Sequence, residues 1–159
     1  MKGMPMDVKE NGLYILSDSY FQQYDTGRMM DNKAENRPHF FALQIDGILW
    51  MIPISSKVEK YRAAIARSET AGKKTLFYHL GVISGRECAF LIGDMIPVVQ
   101  AYIVRPYTVS GMPYVVRDAK LLRSLKSKAK RYLTLVRQGK IRPHVDILDI
   151  CRRLADMGD

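Results

Sequence analysis

Apolar positions along the chain recur first with the period of strands and later with the period of helices. GLYIL (12–16) predicts a short strand, and SDSYFQQY (17–24) predicts a short helix capped by Ser17. Residues 25–38, DTGRMMDNKAENRP, are polar and aperiodic, which predicts a loop of the length that tends to carry function. HFFALQID (39–46) and ILWMIPI (48–54) flank Asp46-Gly47, a hairpin signal because glycine supplies the positive φ of a tight turn. Pro53 stands near the end of its run, where a missing N–H costs least. From Lys57 to about Ser68 the spacing of Val58, Tyr61 and Ile65 is helical, and SETAGKK (68–74) reads as a loop. TLFYHLGVI (75–83) and CAFLI (88–92) predict a second hairpin around Ser84-Gly85, VVQAYIV (98–104) another strand, and TVSGMP (108–113) a turn. Residues 117–137 form the clearest helical pattern, with Leu122, Leu125, Ala129, Tyr132 and Val136 on one stripe and Gly139 as its stop. A last helix is expected over 144–156, ended by Gly158. The pattern describes one α+β domain over residues 1–159, mainly antiparallel strands with helices on the flanks.

Charge adds a direction to this picture. The net charge is +9. It is uneven: residues 1–50 carry 5 basic and 7 acidic side chains, residues 51–100 carry 7 and 4, and residues 101–159 carry 13 and 5. A basic second half suits a polyanionic partner, most often nucleic acid. The 117–137 helix carries Arg117, Lys120, Arg123, Lys126, Lys128, Lys130, Arg131 and Arg137 against Asp118 alone. Ordinary surface helices mix signs for (i, i+4) pairing, so this excess favours contact with a nucleic-acid backbone over a merely solvated face. Tyr20, Tyr24, Tyr61 and Tyr107 lie in polar contexts and are the tyrosines placed to stack on bases. Cys88 and Cys151 lie in apolar patterns and read as small core residues rather than a disulfide. The N-terminal segment is polar and no apolar run approaches a membrane span, so a cytoplasmic protein without a membrane partner is expected.

Several chemistries lack their residues. His39, His79 and His144 are far apart and show no metal-ligand spacing, which argues against a zinc or two-metal nuclease site. No GxxxxGK[ST] or GxSxG sequence occurs, so no cofactor is expected. What stands out is Ser55-Ser56-Lys57, where an apolar strand meets a helix. Ser56-Lys57-Val58-Glu59 is an S-x-x-E capping box, with Ser56 as cap and Glu59 reaching back. A helix start also binds phosphate, through unpaired N–H groups and the positive end of the dipole. Lys57 opposes that dipole, which is easier to understand if an anion visits, and Lys60 follows on roughly the same side.

RPHFFALQIDGILWMIPISSKVEKY, followed some thirty residues later by FLIGDMIPV, resembles the ToxN/AbiQ type toxins of type III toxin–antitoxin systems, and among them the CptN-like members. The family pattern is strand, turn, a strand ending in Pro-x-Ser/Thr-Ser, a nearby lysine, and a later apolar segment ending in Met-x-Pro. SDSYFQQYD is similar to the family's early Ser-x-x-Tyr segment, and the resemblance spans roughly residues 13–104. It implies a compact, twisted antiparallel barrel of the MazF/Kid (PemK-like) kind with added helices. It implies a metal-independent, sequence-selective endoribonuclease that leaves 2′,3′-cyclic phosphate and 5′-OH ends. It implies an RNA antitoxin of tandem repeats folded as pseudoknots, which the toxin processes and which holds it in a closed toxin–RNA assembly. Cellular or phage RNA would be the substrate.

On this resemblance Ser55 and Ser56 hydrogen-bond the scissile phosphate, Lys57 neutralises the developing charge, and Tyr20 falls at the early active-site tyrosine. The family's lysine two residues after the second Ser/Thr is here Val58, so Lys57 and Lys60 both remain open for its role. The family's lysine before the first hairpin strand has no counterpart; Arg37 and His39 stand there, with His39 also a candidate proton carrier against the ordinary reading of a strand-edge histidine. Arg37, Lys60, Tyr61, Lys120, Arg123, Lys126, Lys130 and Arg131 are the expected RNA contacts. Two other readings compete: a non-catalytic RNA-binding domain that grips phosphate at the same helix start, and a basic ribosome- or DNA-associated protein of similar fold.

Overall fold

In the computed structural model, residues 6–73 and 75–157 are described. The elements run β1 (Leu13–Leu16), α1 (Asp18–Tyr24), β2 (Pro38–Ile45), β3 (Ile48–Ser55), α2 (Val58–Thr70), β4 (Tyr78–Ile83), β5 (Arg86–Leu91), β6 (Ile96–Val98), β7 (Ile103–Pro106), β8 (Thr108–Val109), β9 (Met112–Pro113), α3 (Ala119–Arg137) and α4 (Ile147–Met157). Short 3₁₀ turns at Ile92–Asp94 and Gln100–Tyr102 join β5 to β6 and β6 to β7.

The sheet is antiparallel, in the order β4-β5-β3-β2-β1-β7, with β6 also on β3. β3 is its axis. On one side it pairs with β2 along nearly its whole length. On the other, Leu49–Met51 pair with β6 and Ile54–Ser55 with β5, leaving Ile52 and Pro53 in the interval between the two. A proline fits there, because fewer ladder donors are required of it. The expected barrel does not close: β4 and β7 end the strand order at opposite edges, and among the described residues neither pairs with the other. The break has a visible cause. The run read as one strand over 98–104 is split by the 3₁₀ turn at Gln100–Tyr102, so β6 serves β3 while β7 crosses to β1 instead of returning toward β4.

Three tight turns share one geometry. Asp46-Gly47, Ser84-Gly85 and Ser110-Gly111 all have positive φ at both positions, the two-residue hairpin turn whose twist matches its strands. The third joins β8 to β9, where the sequence pattern shows only a turn.

Helices cover both faces of the β4–β5 arm. Tyr61 of α2 packs with Ala89 and Leu91 on one face. On the other, a Cβ at Gly81 would come within 2.8 Å of Phe90 and 3.0 Å of Leu121 of α3, so the missing side chain is what lets α3 approach. α3 starts at Asp118, whose carboxylate accepts from the N–H groups of Lys120 and Leu121; the lone acid of the basic helix is its cap. The buried stripe of α3 begins at Leu121, with Leu122 only half-buried, and continues through Leu125, Ala129, Tyr132, Leu133 and Val136. Gly139, at φ 74°, ends it as expected. α4 buries Ile147, Ile150 and Leu154, and the Gly158 stop lies outside the described residues. Cys88 is buried and Cys151 half-buried, both as free thiols.

Candidate functional site

Ser55 is the last residue of β3 and is buried; Ser56 and Lys57 are exposed. The capping box does not form. Lys57, not Ser56, is the N-cap of α2, and no side chain caps the helix. Instead the Lys57 N–H donates to Ser55 Oγ at 3.1 Å, and the Val58 N–H donates to the Ser56 carbonyl at 2.9 Å. Glu59 pairs with Arg62, on the β5 side where Glu87 also binds it, rather than reaching back. The chain leaves a core strand and turns sharply, so the inner serine is spent on the turn while the outer serine hydroxyl is presented to solvent.

Arg37 is brought to the same corner. It is buried, and its guanidinium donates through Nη1 to the Ile54 carbonyl at 2.8 Å and through Nε to the Asp31 carbonyl. Burial pulls its pKa down, while the charges of Asp31, Tyr61 and Asp94 oppose that fall. The loop 25–37 builds this placement. Asp25 Oδ1 accepts from the N–H groups of Gly27, Arg28 and Met29. Asn32 donates to the Leu16 carbonyl and to Asp18. Lys33, Ala34 and Glu35 all lie in the left-handed region, with φ of 54°, 54° and 62°. Three such non-glycine residues in a row are costly, and strain of this kind collects at functional segments.

Next to this corner opens a cleft of about 420 Å³, lined among others by Lys60, Tyr61, Asp94, Arg142 and His144. Asp94 ends the 3₁₀ turn after β5. Burial raises its pKa, and His144, Arg37 and Lys60 act against that rise. The Tyr61 phenol is raised by burial first and by the Asp94 charge second, with Arg37 and the Ser55 hydroxyl acting the other way. Lys60 Nζ lies 5.4 Å from the Tyr61 ring centre. These shared perturbations join Arg37, Ser55, Lys60, Tyr61 and Asp94 into one electrostatic neighbourhood. Among the described residues no group of three or more His, Cys, Asp or Glu side chains is placed to hold a metal ion, and no helix is long and apolar enough to cross a membrane.

The predicted residues divide sharply. Arg37, Ser55, Ser56, Lys57, Lys60 and Tyr61 meet at the corner and cleft. Tyr20 does not: it is fully buried, its hydroxyl donates to the Pro97 carbonyl at 2.6 Å, and desolvation raises its pKa. His39 does not either. It is 1% exposed, its ring Nδ1 lies 3.1 Å from the Arg37 carbonyl, and burial lowers its pKa to about 3. It is a neutral core group, with Nδ1–H donating to that carbonyl, and is not placed to carry protons for a surface reaction. Tyr24 is also core, beneath Arg153 at 4.8 Å. On α3, Lys120, Arg123, Lys130 and Arg131 are exposed and form no ion pair among the described residues. Lys126 is different: its ammonium binds Glu10 at 2.7 Å and the Ala42 carbonyl at 2.8 Å, fastening α3 to β2. Asp94, Arg142 and His144 were not singled out as site residues. Asp94 sits inside the quoted FLIGDMIPV segment, which was the available signal.

No family model matches this chain, and no curated relative does. A solved structure reported under the words "A processed non-coding RNA regulates a bacterial antiviral system" matches with a TM-score of 0.62 at 18% identity, over 93% of this chain and 99% of that one. The chain has that fold. That coverage is wider than residues 13–104, the stretch over which the sequence resembles the ToxN/AbiQ toxins.

Proposed function

We propose that this protein is the toxin of a type III toxin–antitoxin pair, a metal-independent endoribonuclease regulated by a repeat-derived RNA. The observation that carries the reading is the corner at the end of β3. An exposed serine and lysine stand at an uncapped helix start, beside a buried arginine, and the first turn of that helix carries Lys60 and Tyr61 into a cleft that His144 also lines. In such a site the RNA's 2′-oxygen bonds to phosphorus as the bond to the 5′-oxygen breaks. One proton leaves the 2′-hydroxyl and one joins the leaving oxygen, giving a cyclic phosphate and a 5′-OH. Ser56, with the N–H groups of Glu59 and Lys60 that follow the one spent on the Ser56 carbonyl, holds the phosphate. Lys57 and Lys60 stabilise the charge that builds on it, and Arg37 fixes the strand end against which it sits. His144, on the cleft wall, takes the proton-carrying place that buried His39 cannot fill. The solved structure of the same fold is reported with a processed non-coding RNA and an antiviral system; applied to this chain, those words support an RNA regulator and a defence role, while pseudoknot repeats in a closed assembly rest on the sequence resemblance alone. The open sheet is read as a relative of the MazF/Kid (PemK-like) type.

The test is incubation of purified, RNA-free protein with mixed RNA in EDTA, beside Ser56→Ala, with the ends mapped. Discrete cuts with cyclic-phosphate 3′ ends, lost in the variant, are expected. Ser56 is exposed and caps nothing, so its loss leaves folding intact. A folded wild type that binds RNA without cutting it would return the site to phosphate grip in a non-catalytic RNA-binding domain.

A further inference from the structure

The cleft beside the strand end is more than a phosphate site. Phe77, Tyr78, Tyr61 and Asp94 all line it. Phe77 is 41% exposed. Its ring is nonetheless held in place: it meets Tyr132 edge-on at 6.1 Å, and a Cβ on Gly93 would come within 2.9 Å of it. The Gly93 N–H also donates to the Phe77 carbonyl at 3.0 Å. The Tyr78 and Tyr61 rings, also on the lining, meet at 4.9 Å with their planes tilted by 50°. An exposed but fixed aromatic beside two others is a stacking platform, and base stacking is how proteins hold unpaired RNA.

The polar groups are arranged for a base edge and its flanking phosphates. Among the described residues no hydrogen bond or ion pair uses the Asp94 carboxylate, although the charges of Arg37 and Lys60 act on it. Asp94 shares the lining of the open cleft with Lys60, Arg142 and His144, so a ligand in the cleft meets its carboxylate. The carboxylate only accepts hydrogen bonds when ionised. Lys60 and Arg142 stand on the lining with their charges available for phosphate.

We propose that this cleft receives one unpaired RNA nucleotide, its base against Phe77 and Tyr78 and its exocyclic amino group donating to Asp94. The inference rests on the reading of the chain as an RNA-acting protein. Adenine, guanine and cytosine each present such an amino group; uracil presents carbonyls there, which a carboxylate repels. Asp94 is then a specificity-determining residue, and the choice of cleavage site excludes uracil at the position this cleft reads.

The test is direct binding of nucleoside monophosphates to RNA-free protein, by calorimetry. AMP, GMP and CMP are expected to bind about tenfold more tightly than UMP, the scale of one good base-edge contact. IMP, which has a carbonyl where AMP has its amine and lacks the amine of GMP, should bind as poorly as UMP; that comparison needs no variant. Asp94→Asn should erase the ratio, and Phe77→Ala, measured at a temperature where the variant is fully folded, should weaken all the nucleotides alike. Equal binding of UMP and AMP to the wild type, or a ratio that survives Asp94→Asn, overturns the proposal. Cleavage is scored separately. RNA cutting without nucleotide preference removes the base pocket and keeps the nuclease, whereas preference without cutting does the reverse.

Discussion

At the scale of single residues, burial decides which polar side chains act and which only support. His39 and Arg37 are two positions apart, and both are buried. His39 is neutral and bonded to backbone. An unfolded histidine takes its proton near 6.5, whereas His39 in the fold takes it only near about 3. Between those values acid favours the unfolded chain, so stability is complete above about pH 6.5 and declines toward pH 3. The loss from this one group is about 1.4 kcal/mol per pH unit. His79, lowered to about 4 by burial and by Lys128, adds to the same trend. His39→Gln should therefore flatten the fall in denaturation free energy from pH 6.5 to 4.5 by about 2–3 kcal/mol; parallel wild-type and variant curves would show that His39 is not a buried neutral group. Arg37 remains charged because its donors reach two carbonyls. Arg37→Ala should cost on the order of 3 kcal/mol in urea unfolding, since it orphans those carbonyls, and should abolish cleavage in fractions that still fold. Nothing in the residue type alone told these neighbours apart, and this is why both entered the reading of the sequence as site candidates.

At the scale of elements, the hairpins and helices were legible where short-range chemistry dictates them. Asp46-Gly47 and Ser84-Gly85 demand left-handed turns, and Ser17 places the start of α1. The 98–104 run was not legible, because its break at Gln100–Tyr102 is imposed by two different strand partners, β3 and β1, and no local residue announces it. The capping box failed for a related reason: β3 carries Ser55 so far into the core that the turn uses its hydroxyl first. Contact between elements also sets measurable costs. Gly81→Ala places a methyl against Phe90 and Leu121, and should destabilise by about 1–3 kcal/mol as α3 is pushed off β4. Along α3 the basic residues split by role. Lys120→Glu with Arg131→Glu should weaken RNA binding and leave the melting temperature unchanged. Lys126→Ala should lower the melting temperature, because its ammonium joins α3 to Glu10 and β2. If Lys126→Ala instead behaves like the exposed pair in a gel-shift series, its contacts to Glu10 and Ala42 do not form in solution.

At the scale of the whole molecule, the site is a product of topology. Arg37 arrives from the loop before β2, Ser55 to Tyr61 from the β3–α2 corner, Asp94 from the turn after β5, and Arg142 and His144 from the α3–α4 connection. Only the Ser55-Ser56-Lys57 piece is continuous, and only that piece was conspicuous in the sequence. His144 looked isolated because its neighbours lie some fifty to a hundred positions away along the chain. The same folding gathers the positive charge of the last third, which carries 13 basic against 5 acidic side chains, onto α3 and the cleft rim. If the proposed RNA function holds, such a surface releases counterions on binding, so the logarithm of affinity should fall linearly with the logarithm of salt, by about 0.7 per neutralised phosphate on a single strand. Seven exposed cations lie at the corner and on α3: Lys57, Lys60, Lys120, Arg123, Lys130, Arg131 and Arg137. If most of them touch phosphate, a slope of about −3 to −4 is expected with uncleavable RNA. The fold's own ion pairs are mostly exposed, as at Arg62–Glu59 and Arg152–Asp149, and exposed pairs contribute little stability. High salt should therefore strip RNA from the purified protein while the RNA-free melting temperature stays within a few degrees. A shallow slope near −1 would instead confine RNA contact to the corner of β3 and α2 and assign the α3 charges to solvent.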